Sequence, residues 1–351
     1  MSARLYFFTF FLLLFSKCLL LAFIIENGHG LFSGGNDSDY YDDYALGHTD
    51  VAVNIWPILL RCLNNIGLYS RQGISIFLML LGTVLIPLLV SKLSTEKDST
   101  LKNRVFWIIS VIIAAYPTIF FFTLDIYRDV FMVLVFLVGI AIFKKISEST
   151  TIRSILFLFL AGLTISYLLY LLRPYLGFGY FIALIGAKFY SFKKYPFVST
   201  VLIYLLALNT VFYIGLMQPI VEYRSLFGGI EAGGSNLGIT FSSAVMFLPD
   251  LIKSFIFQML GLYFVNSASI FVFIVESVPF IAAFAYILKN RAYSNKFVDY
   301  LVVFFIVYST IWLLGNDNLG TAVRLRIYNY ISVCIACALI YQNKKKILSM
   351  K

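Results

Sequence analysis

Two short stretches of this 351-residue chain hold the residue types that act on charged substrates. The first is Gly34-Gly35-Asn36-Asp37-Ser38-Asp39-Tyr40-Tyr41-Asp42-Asp43-Tyr44, with four carboxylates in seven residues. Crowded like charges disfavour ionisation of some members of a set. A carboxylate made more basic in this way suits a general base near neutral pH. The glycines permit a tight turn, and Tyr40, Tyr41 and Tyr44 offer flat faces for sugar rings. Asp37 and Asp39 also suit a hard divalent cation through oxygen ligands; no other cofactor is indicated. The plainer alternative is a solvated acidic loop that fixes topology.

The second stretch is Gly315-Asn316-Asp317-Asn318-Leu319-Gly320-Thr321-Ala322-Val323-Arg324-Leu325-Arg326. Arg324 and Arg326, one residue apart at an expected helix start, form an oxyanion site with Asp317 close by. Guanidinium forks hold phosphate oxygens in pairs, and a helix N-terminus adds free N–H groups. The competing reading is that both arginines snorkel to lipid headgroups. Arg173 before Pro174, Arg128 between Asp125 and Asp129, and Arg224 near Glu222 supply further cations. Arg128 is expected to be neutralised by its own neighbours within a helical turn. Glu276 falls inside an apolar run, where an ionisable group is a functional candidate or an interhelical lock.

Other chemistries leave no pattern. His29 and His48 are the only histidines, and there is no HExxH, GxSxG, P-loop or Rossmann glycine run. Cys18, Cys62, Cys334 and Cys337 make no framework, and the Cys334/Cys337 pair lies among Ile, Val and Ala, where a thiol is inert packing.

The elements that must position these groups follow from composition. The chain is 61% apolar and 13% charged, with a mean hydropathy of +0.90. Ordinary soluble domains carry about 25% charge, so the fold class is an all-α polytopic membrane protein. The net charge of +10 comes from short clusters between apolar runs, not from a basic stripe, which excludes nucleic acid as a partner. About 20 apolar residues cross a bilayer as a helix. Ten runs come close: 5–25, 72–91, 105–123, 130–143, 154–172, 175–191, 197–217, 269–288, 297–314 and 327–342. The fourth reaches a workable length if its helix starts near Asp125. The first reads as a retained signal-anchor. Residues 241–265, interrupted by Pro249, Asp250, Lys253 and Gln258, read as a re-entrant or interfacial helix.

Cations set the orientation. Eighteen of the 27 Lys and Arg fall in 92–104, 144–153, 188–196 and 289–296 or at the two termini, which puts both termini in the cytoplasm. Thirteen of the 17 acids lie toward the opposite face, which also carries the long loops 26–71 and 218–268. The chain therefore reads as a single integral membrane domain, 1–351, with its ionisable groups gathered at one surface. A transporter places such groups near the midplane; gathered at one surface, they suit an enzyme.

This layout resembles the GT-C-type membrane glycosyltransferases and the O-antigen polymerases called Wzy. The Asp37–Asp43 cluster falls where GT-C enzymes keep an acidic first-loop motif, and Gly320–Arg326 is similar to the late arginine-bearing loop of polysaccharide polymerases. The chain is shorter than is usual for the group, and its acidic loop is denser. The resemblance implies transfer of a growing glycan from undecaprenyl pyrophosphate to the next lipid-linked repeat, on the periplasmic side, for lipopolysaccharide biosynthesis. It implies a lipid-linked oligosaccharide as partner, with a flippase and a chain-length regulator. In that reaction Arg324, Arg326 and Arg173 meet the pyrophosphate, with Arg128, Asp317 and Tyr40 beside them. Arg224 meets a second phosphate or the glycan, and Asp37 or Asp39 is the base. A GT-C transferase adding one sugar, a lipid-glycan transporter and a non-catalytic assembly protein remain open alternatives.

Overall fold

The computed structural model describes residues 3–27, 37–96, 99–225 and 235–350. Gly34, Gly35, Asn36, His29 and Glu231 lie outside them. Helices make up most of the described chain, and its sole extended pairing is an isolated bridge between Asn236 and Asn318. Seven described helices are long and apolar enough to cross a membrane. The chain is an α-helical, multi-pass membrane protein.

The fold divides into two compact units, Met1–Phe178 and Gly179–Lys351. The first contains α1 (Ala3–Asn27), α2 (Asp37–Leu46), α3 (Ile55–Asn65), α4 (Arg71–Leu93), α5 (Lys102–Ala114), α6 (Pro117–Phe121), α7 (Arg128–Glu148) and α8 (Ile152–Leu172). The boundary falls inside α9 (Pro174–Gly186). The second unit contains α10 (Phe197–Tyr213), α11 (Gln218–Ser225), α12 (Ala244–Ser254), α13 (Ser267–Lys289), α14 (Lys296–Gly315) and α15 (Leu319–Ser349).

Three expected spans come out shorter than twenty residues, each for a local reason. Residue 105–123 is split because Pro117 lacks an N–H and pushes Tyr116 into extended backbone. The carbonyl of Ala114, near the break, instead accepts from the buried Lys17 ammonium. Pro174–Gly186 is a 13-residue apolar helix. Phe197–Tyr213 stops just before Gly215, whose φ of +82° suits glycine, and α11 leaves at 76°.

Two boundaries correct the sequence reading. α7 starts at Arg128, not near Asp125, because Tyr127 is extended, and it gains its length at the other end through Lys144 and Lys145. α15 starts at Leu319 rather than 327 because the Asn318 side chain accepts from the Thr321 N–H, an N-cap. Within residues 241–265, α12 widens after Ser254 into a π-helical turn at Phe255–Met259, and the chain leaves helical structure near Gly261.

Each unit has two chemically different ends. In the first, Lys144 donates to the carbonyls of Leu93 and Thr95 at one end of α7, while Arg128 and Asp129 occupy its other end. In the second, Lys344 meets Asn290 at one end of α15, while Arg324 and Arg326 lie near the other.

Candidate functional site

The acid-rich segment is a helix, not an irregular loop. In α2 the residues Ser38, Tyr41, Tyr44 and Ala45 form a buried stripe, which leaves Asp39, Asp42 and Asp43 on the opposite flank. Tyr41 and Tyr44 therefore do not present sugar-stacking faces as their spacing suggested. Tyr41 and Tyr44 are 4% and 7% exposed, core residues in effect. The Tyr40 hydroxyl donates to the Val51 carbonyl and accepts from the Val53 N–H, which ties down the following loop.

Cations divide the carboxylates among themselves. Arg71, at the first turn of α4, grips Asp125 with Nε to Oδ1 at 3.0 Å and Nη2 to Oδ2 at 2.6 Å. The same guanidinium reaches Asp39 at 2.8 Å and Asp42 at 3.6 Å. Tyr69 donates to Asp42 at 2.5 Å, and burial, followed by that bond, holds its phenol above the usual tyrosine range. Arg61 takes Asp50 at 2.9 Å, and His48 lies 3.3 Å from Asp43. Among the described residues no group of three or more His, Cys, Asp or Glu converges as a metal site. Asp37 and Asp39 thus gain no third acidic ligand for a divalent cation.

Close packing carries this hub to the start of α7. Asp125 also accepts from the Ile126 N–H, and the buried Trp56 indole donates to the Ile126 carbonyl at 2.9 Å. A Cβ on Gly82, in the π-helical turn of α4, would sit 2.2 Å from Thr123, so glycine is what lets this turn approach.

Beyond the turn, two distant guanidinium groups reach the acids that flank Arg128 in sequence. Asp125 belongs to Arg71, and Asp129 faces Arg173. Arg128 donates to the Leu172 carbonyl at the end of α8, a carbonyl without an intrahelical partner. Arg173 is held extended by Pro174, and its guanidinium is 3.9 Å from Asp129, beyond hydrogen-bond length. Arg173 is 7% exposed, and its buried Nη1 has no hydrogen-bond partner among the described residues. A buried donor left unmade costs about 1–3 kcal/mol. Tyr127 supplies no side-chain cap to α7, so this end of the unit combines two guanidinium groups with a helix start.

No family model, curated protein or solved structure matches this chain.

In the second unit the cations are bound by the protein itself. Arg224 is 3% exposed, and its Nε donates to the Ile239 carbonyl at 2.6 Å. Its other nitrogens reach the carbonyls of Leu313 and Asn316 and the Asp317 carboxylate. Asp317 in turn accepts from the N–H groups of Gly238 and Ile239. The expected substrate contacts Arg224 and Asp317 form instead a buried clasp that fastens residues 237–239 to the turn before α15. Gln258, Asn316 and Asn318 extend it: Asn316 donates to the Gln258 side chain at 2.6 Å, and Asn318 to Ser235 and Asn236 at 2.9 Å.

Arg324 and Arg326 do not act as one fork. Both lie past the first turn of α15, and two residues of helix rotate them about 200° apart. Arg326 is buried against Glu276 at 3.4 Å, the interhelical lock that the sequence allowed. Gly261, with φ +72°, lies close enough that a Cβ there would stand 2.6 Å from Arg326 Nη1. Arg324, on the other flank, is half-buried.

Sequence reasoning missed Arg71 as the organiser of the acidic helix. The usable signal was a loop crowded with aspartates whose two arginines are Arg61 and Arg71.

Proposed function

We propose that this chain polymerises lipid-linked oligosaccharide repeats by glycosyl transfer at the acid-rich face of the bacterial inner membrane. In this reading about ten crossings place both termini in the cytoplasm, and the loops 26–71 and 218–268 in the periplasm. A flippase delivers the undecaprenyl-pyrophosphate-linked units, and a chain-length regulator limits the product. The observation that supports it best is the buried Nη1 of Arg173, unmatched among the described residues, in the unit that also holds Arg128 and the acidic helix α2.

The barrier to glycosyl transfer from a pyrophosphate carrier is charge separation, positive on the sugar and negative on the leaving group. A buried guanidinium with a spare donor stabilises the departing pyrophosphate without having to be reorganised. Arg128 assists from the adjacent helix start. Asp37 or Asp39 takes the proton of the attacking hydroxyl. Arg71 fixes Asp39 in place while leaving its side chain 58% exposed, accessible to an acceptor sugar. Arg324 is the anion contact of the second unit, whereas Arg326, Arg224 and Asp317 position that unit's helices.

Arg173→Ala tests the reading through the length of surface polysaccharide. The expected result is a membrane-inserted protein at normal abundance and product confined to single repeats. A full polymer ladder from Arg173→Ala cells rejects the proposal. Single-sugar additions to an otherwise complete glycan, lost in the variant, would replace it with a GT-C transferase.

A further inference from the structure

The second unit encloses an apolar cavity of about 480 Å³ that plays no part in the chemistry above. Its lining runs from Leu301 to Leu313 along α14, thirteen residues or about 18 Å of helix. On α10 it runs from Phe197 to Leu208. The space is thus a slot parallel to the helices, long rather than round. Within it Tyr204 and Thr310 satisfy each other at 2.6 Å, so that pair makes no demand on a polar ligand. An engineered apolar cavity of about 150 Å³ stays dry and takes up benzene, and this one is larger.

The occupant is indicated by the surroundings. Ile252, which lines the slot, is 52% exposed, so the space communicates with the outer, apolar surface of the unit. α10 carries Leu202, Ile203 and Leu206 exposed on its other side, the mark of a helix bathed in hydrocarbon. One end of the slot is ringed by cations. Lining residue Phe192 is followed by Lys193 and Lys194, and lining residue Leu288 by Lys289. These lysines are exposed, and the nearby Arg291 donates to the Tyr195 carbonyl, which gathers the two loops at one place. Basic clusters at a helix end attract anionic headgroups at about 1 kcal/mol per residue.

We infer that the slot and its lysine foot bind one anionic phospholipid, an acyl chain between α10 and α14 and the phosphate on Lys193, Lys194 and Lys289. The inference does not depend on the glycan reading, because the lysine foot lies at the end of the unit opposite to Arg224 and Arg324, although the slot itself reaches Leu313.

The full-length protein, in discs holding equal phosphatidylglycerol and phosphatidylcholine, is released and weighed intact by native mass spectrometry. One phosphatidylglycerol should remain bound, with a preference of about tenfold over phosphatidylcholine. Val201→Trp, which fills the slot from α10, should lose it. Lys193→Gln with Lys194→Gln and Lys289→Gln should keep a lipid and lose the preference. A photoactivatable acyl chain on phosphatidylglycerol, used with the unaltered protein, should label Val201 or Leu205. Labelling confined to Leu202, Ile203 and Leu206 overturns the inference, as does equal retention of both lipids or retention by Val201→Trp. A retained polyprenyl phosphate in place of phospholipid also overturns it, and would make the slot part of the substrate path.

Discussion

Two buried arginines, one in each unit, lead opposite lives. Arg224 gives its donors to four carbonyls and a carboxylate of its own protein. Arg173 is nearly as buried, yet it keeps a nitrogen without an acceptor and a carboxylate only at 3.9 Å. Both began as the same feature, a cation near the acid-rich end of an apolar run. Burial alone therefore does not separate scaffold from site; the accounting of hydrogen bonds does. A guanidinium saturated from within holds chain segments together. One left short of acceptors is stabilised by whatever brings an anion.

Stability should split the two arginines most widely. Removing one partner of a buried pair leaves an uncompensated charge and costs about 3–5 kcal/mol. Arg224→Ala and Asp317→Ala should each cost that much, read as a lower unfolding midpoint in detergent. Arg173→Ala should cost roughly 1 kcal/mol or less, since it also removes an unsatisfied donor. Equal losses from Arg224→Ala and Arg173→Ala would erase the distinction on which the functional assignment rests.

The Arg326–Glu276 pair sharpens the comparison at an intermediate size. At 3.4 Å, with side chains 4% and 0% exposed, it is saturated less well than Arg224. Glu276→Gln should cost about 2–3 kcal/mol, because Arg326 is left buried beside a neutral amide. The double change Glu276→Leu with Arg326→Met should recover much of that loss, as apolar replacements of buried pairs often do. A double variant no more stable than Glu276→Gln would mean that the charges, not their mutual neutralisation, organise the π-helical turns at Phe255–Met259 and Phe273–Ser277.

Much of the fold was legible because hydrophobic length is a one-dimensional signal. Runs such as 154–172 and 297–314 became helices within two residues of their expected ends. What failed was decided by single residues acting in three dimensions. Pro117 broke a run whose composition was continuous, and Asn318 started a helix eight residues early by capping it. At the site, residue type was legible and pairing was not. Asp125 meets Arg71 and Asp129 faces Arg173, partners 54 and 44 positions away in the chain. Local spacing predicts neighbours along a helix. It carries no information on which distant guanidinium the turn at 123–127 will meet.

The smallest expected effect concerns how the first unit holds its acidic helix. Arg71 binds Asp125 through two nitrogens and still reaches Asp39 and Asp42. That geometry needs a planar fork, and lysine offers a single point charge. Arg71→Lys keeps the charge and, with three rotatable donors, all but one of the carboxylate hydrogen bonds, so the side chains, 22% and 9% exposed for Arg71 and Asp125, remain neutralised. The loss should be about 1 kcal/mol, the worth of one hydrogen bond. Its sign of action is local: α2 should loosen, with faster amide exchange at 38–46 and unchanged exchange in α7. If α7 loosens equally, Arg71 supports the α7 start as well as α2. The mouth of the first unit would then be one cooperative piece, in which Arg173 cannot be altered without disturbing the acids.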